Sequence, residues 1–349
     1  MMTDQFINDL RQIVGKTQVS VSRAETELYS YDASLAKGQP GVVVFPADTQ
    51  EVARVVEVIR RAGVPFVPRG FGTNLSGGTV LVSGGVVICL SRLNRIIDMS
   101  PERRCAVAQP GVTNLELQNA LAPMGFFYAP DPASQKVATL GGNVGENSGG
   151  PRCLKYGVTT NHILGLDLVL SSGEVVRLGG CAYDPPGYDL RGVLIGSEGT
   201  MGIVTEVTVR ILPLPEKIIT LLVIYDDIGD AAQSVSDIIS AGILPTTLEM
   251  MDAPIINAVE DSYACGYPRD AAAVLIVVGI TGLTDVSAFE SYHDPNTNDT
   301  GYCTSCHPGF AGGRSDVTHA LHTGGTSSLG TITTNCSLCH TGSGRDNPF

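Results

Sequence analysis

From Gly41 onward the hydrophobic and polar positions switch between two rhythms. Val42-Val43-Val44-Phe45-Pro46 is a short β-branched run closed by proline and reads as a strand. Thr49 then offers a helix N-cap, and Val52, Val55, Val56 and Ile59 recur at helical spacing until Gly63. Val64-Pro65-Phe66-Val67-Pro68 is a second short strand. Strand, helix and strand joined by a few residues is an α/β signature. Strands are expected again over 86–90, 96–99, 104–109, 163–170, 175–178 and 202–212, with a helix over 114–124. Ahead of these, residues 1–36 read as a helical cover with a polar surface.

Between 129 and 157 the chain is rich in Gly and Pro and almost without period, so a functional loop free of regular elements is expected. A second α/β unit begins at Ile218, with strand over 219–225, helix over 230–241, extended chain over 248–251 and strand over 271–279. After Gly282 the composition turns to Gly, Thr, Ser, Cys and His, and a boundary is placed near 285. The domain expectation is a cover at 1–40, a main domain at 41–216, a partial second domain at 217–285 and a tail at 286–349.

Composition narrows the classes. The 349 residues are 43% hydrophobic and 16% charged, enough for packed cores and more than one domain. A net charge of −13 argues against a nucleic-acid backbone as partner. The N-terminus lacks a basic segment followed by an apolar core, and no run of about 18 apolar residues occurs. No membrane span and a cytoplasmic location are therefore expected. Cys89, Cys105, Cys153, Cys181 and Cys265 sit among apolar neighbours without repeated spacing and are expected as buried free thiols.

Three glycine-rich segments carry candidate chemistry. Arg69-Gly70-Phe71-Gly72-Thr73-Asn74-Leu75-Ser76-Gly77-Gly78 lets the backbone approach a pyrophosphate and can turn successive N–H groups on an anion. Its spacing misses the dinucleotide fingerprint G-x-G-x-x-G, and alone it is as readily a plain turn. Asp131-Pro132-Ala133-Ser134 followed by 140–150 forms a second such segment, and 194–204 a third.

In this order and spacing the three resemble the FAD-binding domain of the p-cresol methylhydroxylase/vanillyl-alcohol oxidase superfamily, in its glycolate oxidase GlcD and D-lactate dehydrogenase branch. Cys153-Leu154-Lys155-Tyr156-Gly157 and Leu248-Glu249-Met250-Met251-Asp252 look like the same branch. The resemblance runs from near the N-terminus to about 285. It implies an α+β or α/β, two-subdomain PCMH-type fold with a partial cap domain and an irregular tail. It places Pro68, Arg69, Gly70, Phe71, Gly72, Thr73, Asn74, Leu75, Gly77 and Gly78 around the FAD pyrophosphate. Pro132, Ser134, Leu140, Gly141, Gly142, Asn143, Gly145, Asn147, Ser148 and Gly149 would follow the ribityl chain and ring, and Tyr156 and Gly157 are expected to bind the cofactor as well. Glu198, Gly199, Gly202, Ile203 and Val204 would meet the adenine side. Covalent members carry a His in the first loop or a Tyr or Cys elsewhere; here Asn74 or its neighbours take that place, so FAD is expected to be non-covalent.

The family reaction implied is hydride transfer from a 2-hydroxy acid to flavin N5, with an acceptor protein or a quinone-linked partner, and other glycolate oxidase subunits, downstream. The family's H-x-G-D-G-N-x-H-like segment is absent, so no catalytic residue is assigned. His162 reads as a core or edge histidine rather than a base.

Past the departure point, Cys303-Thr304-Ser305-Cys306-His307 and Cys336-Ser337-Leu338-Cys339-His340 are both C-x-x-C-H, the c-type haem attachment motif. They resemble a multihaem cytochrome fragment holding two haems, with His307 and His340 as axial ligands and His319 and His322 as candidate distal ones. A Cys₄ zinc site, or no metal, is the alternative. Covalent haem needs an exported, oxidising compartment, in tension with the absence of an export signal. Three functions are carried forward: an FAD-dependent 2-hydroxy-acid dehydrogenase, a non-catalytic FAD-binding subunit of a complex, and a flavocytochrome.

Overall fold

The computed structural model describes residues 2–82, 84–181 and 187–281, with a short hairpin at 326–327 and 330–331. The chain divides into two compact units, Met1–Leu214 and Pro215–Phe349.

The first unit opens with helix α1 (Asp4–Val14), capped by Thr3 and burying Phe6, Leu10 and Val14 along one stripe. Strand β1 (Val19–Ser20) and helix α2 (Arg23–Glu27) follow. The expected helical cover over 1–36 is therefore corrected: β1 pairs with the next strand, and the chain from 28 is irregular. Strand β2 (Val42–Val44) leads to helix α3 (Thr49–Ala62). Asp48, not Thr49, caps α3 by accepting from the Glu51 N–H, and Gly63 ends it at φ 62°. Strands β3 (Phe66–Arg69) and β4 (Val86–Cys89) complete a four-stranded sheet of order β1-β2-β4-β3, parallel except for β1. Val42, Val44, Val86 and Ile88 pack against α1 and α3 through Leu10, Val52, Val55, Val56 and Ile59. Each of these buried side chains contributes on the order of 2 kcal/mol of transfer free energy.

A second sheet in the same unit is antiparallel. Strands β5 (Ile96–Ser100) and β6 (Cys105–Ala108) form its first hairpin, and helix α4 (Asn114–Leu121) follows with a Thr113–Glu116 capping box. A two-residue strand β7 (Phe126–Phe127) precedes two helices, α5 (Leu140–Glu146) and α6 (Cys153–Tyr156). Strands β8 (Ile163–Val169) and β9 (Val175–Gly179), helix α7 (Leu190–Leu194), strand β10 (Ile203–Arg210) and the short β11 (Leu212–Pro213) close the unit. The sheet order is β5-β6-β10-β8-β9.

Two expectations are corrected here. The 129–157 stretch holds two helices: Leu140 and Val144, four residues apart, bury in the second core, Thr139 caps α5, and Asn147 closes it at φ 49°. Its glycines masked that period. Cys105 and Cys181 are not free thiols; they form a disulfide with Cα atoms 5.9 Å apart. They stand 76 residues apart, a separation in which sequence spacing gave no sign of the pairing. Cys89, Cys153 and Cys265 are free.

The second unit is a three-stranded antiparallel sheet of order β12-β14-β13, built from β12 (Lys217–Tyr225), β13 (Thr247–Asp252) and β14 (Ala273–Thr281). Period-2 alternation along β12 divides its side chains between two helices. Leu221, Val223 and Tyr225 share a core with Val235 and Ile238 of α8 (Ile228–Ser240). Leu222 and Ile224 share the other with Ile256 of α9 (Ala253–Tyr263).

Candidate cofactor site

The three glycine-rich segments meet in the first unit, around one cleft. Direct approach of the segments to one another explains several glycines. A Cβ on Gly70 would collide with Thr139, one on Gly78 with Glu198, and one on Gly199 with Pro68. Backbone bonds join the second and third segments: Gly196 N–H donates to Val144 O (2.8 Å) and Glu198 N–H to Gly145 O (2.9 Å). Glu198 sits in the left-handed region at φ 52°, a costly conformation for a non-glycine residue that turns the third segment back on α5. Ser76 Oγ donates to Glu146 Oε1 (2.9 Å), joining the first segment to the second.

The first segment leaves β3 at Arg69, whose side chain is buried beneath the loop. Its guanidinium lies 5.5 Å from the centroid of Tyr29 and donates through Nη1 to Thr79 Oγ1 (3.3 Å). A Cβ on Gly72, at φ 70°, would run into that guanidinium. The N–H groups of residues 70–74 find no hydrogen-bond partner among the described residues, and all five residues line the cleft. The Asn74 side chain points elsewhere. Its Nδ2 donates to Asp32 Oδ2 (2.7 Å) and Ser76 Oγ (3.1 Å), and its Oδ1 accepts from Thr79 (3.2 Å).

Helix α4 organises the approach to the second segment. Gln118 accepts from the Tyr128 N–H (2.9 Å) and donates to Tyr128 O, and Asn114 donates to Pro130 O (2.9 Å). Asp131 then takes Arg152 in an ion pair (3.1 Å), with the Arg152 guanidinium over Phe127. On α5, Asn143 is 2% exposed, and its Nδ2 has no partner among the described residues although it borders the cleft. A buried amide donor of this kind is open to an acceptor, whether water or a ligand. Burial first, then the charges of Glu198 and Asp32, push the Glu146 carboxyl above the usual carboxylate range, against the opposing bond from Ser76.

Most sequence-predicted residues line this cleft: Pro68 to Asn74, Gly78, Ser134, Gly141, Gly142, Asn143, Gly145, Ser148, Glu198, Gly199, Gly202 and Val204. Others stand apart from its walls. Leu140 and Ile203 are core residues, Pro132 is buried and Leu75 is exposed. Gly77 faces Ala36 and Ser34, and Tyr156 packs edge-on against Phe127. Asn147 caps α5 and accepts from the Thr160 N–H, Gly149 abuts Cys153, and Gly157 abuts Asn161. Thr79, Leu90, Pro110, Ala138, Thr139 and Leu168 also line it from outside the three segments, and Glu146, Leu194 and Ser197 from positions within them that were not singled out. Thr139 alone carried a local signal, as a hydroxyl residue ahead of a buried Leu.

His162 is buried, with Nε2–H donating to Tyr156 O (2.8 Å), and is a core histidine. Cys303, Cys306, His307, His319, His322, Cys336, Cys339 and His340 lie outside the described residues. Among the described residues, no three His, Cys, Asp or Glu gather as a metal site, and no helix is long and apolar enough to cross a membrane.

Residues 40–179 match the FAD binding domain family, and residues 214–291 match the C-terminal domain of FAD linked oxidases. The glycolate oxidase subunit GlcD of Bacillus subtilis (strain 168) is 45% identical over 279 residues, covering 79% of this chain and 59% of that protein. The D-lactate dehydrogenase of Anaerostipes hadrus is 35% identical over 297 residues, 84% of this chain and 62% of that one. The chain thus spans about three fifths of these relatives' length. Among solved structures, p-cresol methylhydroxylase with substrate bound superposes with a TM-score of 0.70 at 18% identity, over 82% of this chain and 62% of that one. An alkyldihydroxyacetonephosphate synthase gives 0.71 at 20%, over 83% and 58%. The fold is the two-domain, α+β FAD-binding type shared with these proteins.

Proposed function

We propose a flavin-dependent oxidation of the GlcD kind for this chain, which matches the FAD binding domain family over residues 40–179 and the C-terminal domain of FAD linked oxidases over 214–291. The reading is an FAD-dependent dehydrogenase acting on a 2-hydroxy acid of the glycolate or D-lactate kind, as the names of its relatives indicate. The observation that carries it is the cleft where three distant segments converge, bordered by a run of N–H donors and by the unpartnered amide of Asn143.

Those residues fit FAD. The 70–74 N–H groups suit a diphosphate, since successive amides form an anion-binding concavity. The Asn143 amide would donate to an acceptor of the cofactor, and the Glu146 and Glu198 carboxylates would accept from ribose hydroxyls or an adenine amine. Asn74 is no nucleophile and its amide is already engaged, in keeping with a non-covalent cofactor. Bound FAD supplies the two-electron acceptor for the hydride leaving the hydroxyl-bearing carbon. An acceptor protein or a quinone-linked partner, within a complex of glycolate oxidase type, would take the electrons on.

The expected outcome is a yellow protein whose flavin absorbance is released on denaturation and bleached anaerobically by glycolate or D-lactate. Protein that takes up no FAD would sink the reading. A loaded protein that no 2-hydroxy acid bleaches would leave an FAD-binding subunit. The two C-x-x-C-H motifs favour a second reading, a flavocytochrome passing flavin electrons to haem c. A pyridine-haemochrome assay after expression with cytochrome maturation decides it.

A further inference from the structure

Asp32 belongs to none of the three segments, yet it is 6% exposed and turned toward the first loop. Its Oδ1 accepts from the Ser34 N–H (2.8 Å), fixing the carboxylate in its own turn. Its Oδ2 accepts from Asn74 Nδ2 (2.7 Å), 42 residues on. The single Thr79 proton is shared between Asn74 Oδ1 (3.2 Å) and Asp32 Oδ2 (3.5 Å), while Thr79 Oγ1 accepts from Arg69. A backbone bond from the Ala33 N–H to Asn74 O (3.1 Å) runs alongside. The loop is thus held at its start, middle and end by one connected set of groups, all reporting to a carboxylate in the 30–38 turn.

A loop with Gly70, Gly72, Gly77 and Gly78 loses much conformational freedom when it orders around a ligand, because glycine has the most freedom to lose. Tethering it beforehand lowers that cost. A carboxylate is also the wrong group to touch a diphosphate. With Arg69 nearby and Asn74 interposed, Asp32 acts on the loop from behind.

We propose that Asp32 is a positioning residue for FAD, acting through Asn74 and Thr79 to preorganise the 70–79 loop. This rests on the reading of the cleft as the FAD site. The acceptor character of Oδ2 is the essential property. In D32N the new amide would keep one acceptor for Ser34 but present a donor to the Asn74 donor.

The test titrates FAD into full-length apo-protein and follows amide exchange of residues 70–78 without cofactor. Loss of a hydrogen bond to a charged group predicts that D32N binds FAD about tenfold more weakly. The 70–78 amides should exchange faster, with the apo melting midpoint little changed. N74D, which sets two carboxylates face to face, should be worse. The double variant D32N/N74D restores a donor–acceptor pair and should regain most of the affinity. Should D32N not fold, N74A removes the tether with Asp32 in place and should show the same loss. FAD affinity of D32N or N74A within about twofold of wild type would overturn the proposal. So would a double variant no better than the worse single one. Wild-type protein that binds no FAD would overturn both this and the function beneath it.

Discussion

At His162 the carbonyl of Tyr156 can only accept, so the ring carries its proton on Nε2 and leaves Nδ1 bare and, among the described residues, without a partner. A second proton there would create a buried charge with an unsatisfied donor. Burial foremost, with a smaller push from Arg210 and against the Tyr156 bond, holds this imidazole below its ordinary 6.5. The unfolded chain therefore binds more protons than the folded one between that lowered value and 6.5, and stability falls as pH drops through this window. Wild type should lose stability relative to His162→Gln from about pH 7 to about pH 5. Parallel denaturation profiles across that range would show that the ring titrates as it does in the unfolded chain. The role of His162 as a core residue was legible from its place before an apolar strand. The Asp32–Asn74 link was not, because a contact over 42 residues leaves no period or motif.

Elements were legible where hydrophobic period and caps agreed. Helix α3 shows this: its Val and Ile stripe, its stop at Gly63 and its Arg-rich last turn all point one way, and only the cap moved by one residue. Helix α5 shows the opposite, since Leu-Gly-Gly-Asn-Val-Gly-Glu offers too few apolar positions to reveal a turn. Helices α7 and α9 passed unnoticed for want of a long stripe; α9 buries only Ile256 and Glu260. The convergence of three segments could be named only through family resemblance, because the strand order that produces it is a property of the folded chain. Two strands separate β6 from the edge strand β9, and the chain beyond β9 brings Cys181 to Cys105. Closing a loop of 76 residues stabilises by up to about 4.5 kcal/mol in the chain-entropy view. The Cys105→Ala/Cys181→Ala variant should melt well below wild type under non-reducing conditions, and the two should converge when wild type is reduced. Coincident melting in both conditions would mean the bond adds nothing to stability.

Across the whole molecule the cores separate at the same point as the two units. The clusters around Val44, Leu166 and Val87 lie before Leu214, and those around Leu275 and Val274 lie after Pro215. Every residue found around the cleft belongs to the first unit. Calorimetry should therefore resolve two transitions, with added FAD raising one of them by mass action. A single transition, raised as a whole, would show that the two units unfold together. The tie between Cys105 and Cys181 has a further consequence at this scale. A chain matured among reducing agents and one matured under oxidation share sequence and fold, yet differ by two hydrogen atoms. Weighing the intact protein taken straight from its native cell would therefore read out the chemistry of the compartment in which it was made.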